Sequence, residues 1–149
     1  MPKSRANNLY LTGYERQTIE EFIAKLKKNN ISRVVDIREF PLSRKNGFSK
    51  EILKQELKNA GIKYTHLQKL GSPKPIRDEL RRTGNYITFF KKYRAYIKDK
   101  HFELQKIIDF NKHETLCVMC FEKDCELCHR TIVADEILKR TPNLPVIPV

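Results

Sequence analysis

Apolar positions along this chain follow two alternating rhythms. Short runs rich in branched residues recur at 8–12 (NLYLT), 31–37 (ISRVVDI), 62–66 (IKYTH) and 115–121 (TLCVMCF). Each is short, is closed by turn or polar residues, and reads as a strand. Between them the apolar positions shift to a helical period. Ile19, Phe22, Ile23 and Leu26 recur three and four apart behind Thr18, and the T-x-x-E of Thr18 and Glu21 spells a capping box. Ser49 stands where it would cap a helix carrying Ile52, Leu53 and Leu57 and ending at Gly61. Further helices are predicted over 75–82, 85–99, about 101–111, and about Cys128 to Arg140. Val146 and Ile147, between Pro145 and Pro148, suit a short fifth strand.

Strands that alternate with helices predict one α/β domain over 1–149, with a mainly parallel sheet of about five strands and helices on both faces. Right-handed crossovers then put all strand carboxyl ends on one rim, where open α/β sheets bind ligands. That topology collects Gly13, Asp36 with Arg38, His66, and Cys120 with the segment after it.

Charge narrows the partners. Thirty Lys and Arg against 18 Asp and Glu give +12, spread along the chain rather than held in a tail. The excess favours nucleic acid or a nucleotide. No apolar run approaches the length of a membrane span, and the first residues lack a signal-peptide core, so a cytoplasmic protein without a membrane partner is expected.

All four cysteines fall in CVMCFEKDCELCHR, as C-x2-C-x4-C-x2-C followed by His129 and Arg130. In a reducing compartment such a cluster points to metal, redox or catalytic chemistry. Zinc on Cys117, Cys120, Cys125 and Cys128 is one reading. Strand alternation opposes it, because Cys117 and Met119 should face one way, Val118 and Cys120 the other. A disulfide from Cys120 to Cys125 or Cys128 is a second, with a thiol redox sensor as its functional form. A third is an activated Cys128 thiolate at a helix start, with His129 and Arg130 adding positive potential. Cys125 to Arg130 also has the C-x4-R spacing of rhodanese-like loops, although Cys128 stands where those loops have Gly. For Cys117 a buried, inert thiol is the favoured reading.

Elsewhere, Asp36 and Arg38 are either an acid–base carboxylate beside an anion-binding arginine or a structural ion pair. The loop 38–50 carries Ser43, Arg44, Lys45 and Lys50, which with amides near Gly47 suit phosphate; Phe48 is read as its core anchor. His66 reads as structural, and His101 and His113 as surface. In YITFFKKYRAYI the stripe Tyr86, Phe89, Phe90, Tyr93, Ile97 reads as core. Lys91, Lys92 and Arg94 then make an outer basic face, joined by Lys74, Arg77, Arg81 and Arg82.

The segments LTGYERQTIEEFIAKL, VVDIREFPLSRKNGFSKEIL, GIKYTHLQKLG and LCVMCFEKDCELCHRTIVADEI, in that order, resemble the DUF488 family. The resemblance implies a fold frame and a set of site positions: Gly13, Asp36, Arg38, Pro41, Ser43, Tyr64, Gly71, Cys120, Glu122, Cys128, His129 and Arg130. Cys117 and Cys125 are additions beyond that pattern. The leading expectation is a small enzyme acting on a phosphate-bearing substrate, a nucleotide or nucleic acid. Asp36, Cys120, Glu122 and Cys128 are its reactive candidates, and Arg38, Ser43, Arg44, His129 and Arg130 hold the anion. The competing expectation is a noncatalytic nucleic-acid-binding module whose cysteine loop is stapled by zinc or a disulfide.

Overall fold

The computed structural model describes residues 8–120 and 129–149. Among them the order is β1 (Leu9–Gly13), α1 (Ile19–Lys28), β2 (Arg33–Asp36), α2 (Lys50–Asn59), β3 (Lys63–His66), a 3-10 turn at Gln68–Leu70, α3 (Lys74–Thr83), α4 (Tyr86–Ile97), α5 (His101–Asn111), β4 (Leu116–Cys120), α6 (Arg130–Arg140) and β5 (Val146–Pro148). The strands form one parallel sheet in the order β3-β2-β4-β1-β5. The expected α/β fold is therefore present, with the fifth strand at the edge.

Alternation along the strands splits the core in two. Val34, Cys117 and Met119 face a layer made by Phe22 and Leu26 of α1 and Leu53 and Leu57 of α2. Val35, Val118 and Cys120 face the other way, toward Tyr93 and Ile97 of α4, Leu104 and Ile107 of α5, and Val133 and Ile137 of α6. Both strand faces are covered, which is why the strands are almost continuously apolar.

The predicted capping box is present: Thr18 Oγ1 accepts from Glu21 N at 3.1 Å, and Glu21 Oε1 accepts from Thr18 N at 2.9 Å. One expectation is corrected. Ser49 occupies the N-cap position of α2 but makes no side-chain cap. Its hydroxyl instead accepts from Ser43 N (3.1 Å) and donates to Ser43 O (3.0 Å), tying the preceding loop into a closed turn. The last helix is described over Arg130–Arg140, with His129 at its N-cap, and Cys128 lies outside the described residues.

The chain leaves β2 toward α2 and β3 on one side, and leaves β4 toward α6 and β5 on the other. β2 and β4 are neighbours, so their carboxyl ends diverge at a topological switch point, the usual crevice for ligands in such sheets. Register sets Asp36 beside Met119 and His66, and Gly13 beside Cys120. No described helix is long and apolar enough to cross a membrane.

Candidate functional site

Asp36 is the last residue of β2 and has no exposed surface. Its carboxylate accepts from Arg38 N (3.0 Å), from Arg38 Nε (2.9 Å to Oδ1, 3.1 Å to Oδ2), from Arg38 Nη2 (2.7 Å) and from Tyr64 Oη (2.6 Å). A buried carboxylate needs such compensation to remain charged. Burial alone would lower the Arg38 pKa, but the hydrogen bonds and charge of Asp36 outweigh it and hold the guanidinium firmly protonated. Burial, reinforced by the Asp36 charge, drives the Tyr64 hydroxyl pKa upward, so Tyr64 stays a donor.

Arg38 Nη1 donates to Tyr14 Oη at 3.1 Å and to the Phe48 carbonyl at 2.7 Å. With the Asp36 contacts, four of its five N–H groups are used; the second on Nη2 has no acceptor among the described residues. Tyr14 and Phe48 stack at 4.3 Å, nearly parallel, and clamp this arginine from the α1 side. Arg38 is only 7% exposed, yet it lines a cleft of about 420 Å³ with Tyr14, Phe40, Ser43, Arg44, Ser72, Arg77 and Arg81 among its walls.

Two glycines let these walls approach. A Cβ on Gly71 would lie 2.3 Å from Glu39 N, so the loop after β3 touches the loop after β2 only because that Cβ is missing. Gly47, at φ +92°, sits against Ile19 with its would-be Cβ 2.7 Å from Ile19 Cβ. Gly47 thereby anchors the loop on α1. Phe48 is buried, as expected of a core anchor. Ser43 Oγ accepts from Lys45 N at 3.1 Å, and Lys45 Nζ reaches the Tyr14 carbonyl at 3.0 Å, whereas Arg44 is exposed at the rim.

The second half of the rim lies on the opposite sheet face. The Cys120 sulfur is disulfide-bonded and its partner lies outside the described residues. Arg130, 1% exposed, donates through Nη1 to that sulfur. His129 is buried against the Tyr93 ring, with Nε2 3.3 Å from the Ile37 carbonyl. Burial pulls its pKa down to about 4, so the ring is neutral near pH 7 and brings no positive potential, contrary to the expectation drawn from sequence. The Ile37 contact nevertheless ties the start of α6 to the residue between Asp36 and Arg38.

Cys117 lies on the α1–α2 face, fully buried, with its thiol pushed up to about 12 by burial. It is an inert core residue, separated by the sheet from Cys120, and is removed from the candidate zinc ligands. No cluster of metal-ligating side chains occurs among the described residues. Glu122, Cys125 and Cys128 lie outside them. His66 Nε2 sits 2.7 Å from the Arg38 carbonyl, in keeping with a structural role.

On the outer helices, Phe89, Tyr93 and Ile97 are buried, with Lys91, Lys92 and Arg94 outside. Much of that basic face is paired: Lys92 with Glu79, Arg94 with Asp135, and Lys74 with Asp78. Sequence reasoning missed Tyr14, Phe40 and Ser72. The place of Tyr14, directly after the end of β1, was the available signal for it. Nothing local marks Phe40 as exposed.

The molecule is thus a small parallel α/β protein with an arginine-lined cleft at a strand carboxyl edge. The chain belongs to DUF488, a family described as a domain of unknown function, which matches residues 18–137. No curated protein matches it.

Proposed function

We propose that the protein is a small enzyme acting on a phosphate-bearing substrate, a nucleotide or nucleic acid, bound in the cleft between the 38–44 loop and α3. The observation that carries this is the convergence of Arg38, Arg44, Arg77 and Arg81 on one concavity beside a topological switch point. Arginine forks suit phosphate oxygens, and a prepositioned fork loses little freedom on binding. Arg38 is held in place by Asp36, Tyr14 and the Phe48 carbonyl, so it meets an anion without reorganising. Asp36 acts in this reading as the group that orients Arg38. Its oxygens are already occupied, so this reading assigns proton transfer to Glu122 in the segment after β4, and to Cys128 if the Cys120 disulfide runs to Cys125.

A noncatalytic nucleic-acid-binding module is the second reading. It is favoured by the saturated Asp36 carboxylate and the disulfide at Cys120, which commit two of the reactive candidates to structural bonds.

Calorimetric titration of pyrophosphate and nucleotides, followed by chromatographic analysis of the incubated mixtures, tests both. Binding that falls on the order of tenfold in an Arg44→Ala/Arg81→Ala double variant, together with product that disappears in Glu122→Gln, is expected. Binding without product selects the noncatalytic module. Anion affinity unchanged by the double variant overturns the cleft assignment.

A further inference from the structure

Phosphate recognition leaves part of the cleft unexplained. Phe40 and Leu42 stand at its wall with 51% and 79% of their surface exposed. They flank Pro41 in a loop whose other large apolar residue, Phe48, is buried. The Arg77 guanidinium lies 5.6 Å from the centre of the Phe40 ring, and Arg77 is braced by Glu39 Oε1 at 2.7 Å and by the Ser72 carbonyl. An aromatic face backed by a fixed cation, next to further arginines, is the pairing that stacks a nucleobase while holding its phosphate.

A second basic surface continues from this rim. Lys50 N donates to the Pro41 carbonyl at 2.9 Å, so α2 starts where the cleft loop ends. Lys50, Lys54 and Lys58 follow at four-residue steps, about 6 Å apart along the helix axis, on one exposed stripe. Lys54 and Lys58 line a further depression of about 450 Å³ with Arg33 and Lys63. Tyr64 borders that depression and donates its hydroxyl to Asp36, whose carboxylate holds Arg38 of the cleft.

We propose that the partner is a single-stranded nucleic acid, with one base stacked on Phe40 over the arginine cleft and the neighbouring backbone running along the lysine stripe of α2. This rests on the phosphate-binding reading of the cleft and narrows its substrate class. A mononucleotide would leave the lysine stripe unused. A duplex keeps its bases stacked and offers no free π-face to Phe40, and a 420 Å³ cleft is of small-ligand size.

Fluorescence anisotropy with labelled single-stranded DNA and RNA decamers tests it, using a duplex of the same sequence, inorganic polyphosphate and a mononucleotide as competitors. Single strands should bind more tightly than the duplex. Phe40→Ala should weaken them about tenfold, the order of one lost base–aromatic stack, while Phe40→Tyr retains affinity. Lys54→Glu/Lys58→Glu should weaken the decamers and leave mononucleotide binding unchanged. If duplex and polyphosphate bind as well as the strands and Phe40→Ala is silent, the single-strand proposal is overturned although the phosphate cleft stands. If none of these anions responds to Arg44→Ala/Arg81→Ala, the cleft reading itself fails. All five side chains are exposed, so circular dichroism should be native in each variant.

Discussion

The Asp36–Arg38 pair shows how one buried ion pair fixes a site. Removing one partner strands a charge without water, at a cost of about 3–5 kcal/mol. Asp36→Ala should therefore lower the urea midpoint sharply, and is better read as a stability variant than as a probe of catalysis. Tyr64→Phe, which deletes one donor to the same carboxylate, should cost about 1.5–3 kcal/mol. The two losses should not add, since the tyrosine has nothing charged to bond once Asp36 is gone; a double-mutant cycle measures this.

His129 supplies a pH prediction at the same scale. Its folded pKa, about 4, lies below the unfolded value near 6.5. Between these limits the unfolded chain binds more protons, so stability falls as pH drops from 6.5 toward 4, by up to about 3 kcal/mol. His129→Gln should flatten the stability profile in that window. An unchanged slope would show that other groups carry it. Cys117, by contrast, should resist alkylation at pH 8 until the chain unfolds.

Among the elements, the loop between β2 and α2 decides whether the cleft exists. Ser49 closes it through Ser43, Gly47 docks it on α1, and Gly71 lets the next loop lie against it. Gly71→Ala must displace the Glu39 backbone. It should reduce anion affinity and lower the melting temperature together. Gly84→Ala is its control: Gly84 ends α3 in the left-handed region with nothing near its missing Cβ. That change should cost about 1–2 kcal/mol, the strain of a Cβ in the left-handed region, and leave binding intact. The elements themselves were legible from sequence, because strand and helix periods are local properties of the apolar pattern. The capping box and the opposed faces of Cys117 and Cys120 follow from spacing alone. The role of Ser49 was not legible, since cap and loop brace use the same hydroxyl and only the loop's path chooses between them.

For the molecule as a whole, topology did what no motif could. Tyr14, Arg38, and Ser72 with Arg77 come from three separate connections and meet because parallel strands deliver their carboxyl ends to one rim. Sequence order predicted that convergence for Asp36, Arg38 and Cys120. It could not reveal that the rim has two sides, with Asp36 and Arg38 over the α1–α2 layer and Cys120 and Arg130 over the α4–α6 layer. Nor could it show that burial would neutralise His129, or that Phe40 would stay exposed. The net charge of +12 acts at this scale too. Binding of a polyanion should weaken steeply with salt, and each phosphate-contacting arginine or lysine removed should reduce the logarithmic salt slope by about one.

The cleft assignment is tested most directly by amide chemical-shift mapping. Uniformly 15N-labelled protein is titrated with pyrophosphate, then with a single-stranded oligonucleotide. The account predicts that pyrophosphate perturbs a contiguous set at residues 38–44, 72 and 77–81, and that the oligonucleotide extends it along α2 to Lys58. Perturbations confined to the far surface of α4 and α5, with residues 38–44 and 77–81 unmoved at saturation, would contradict it.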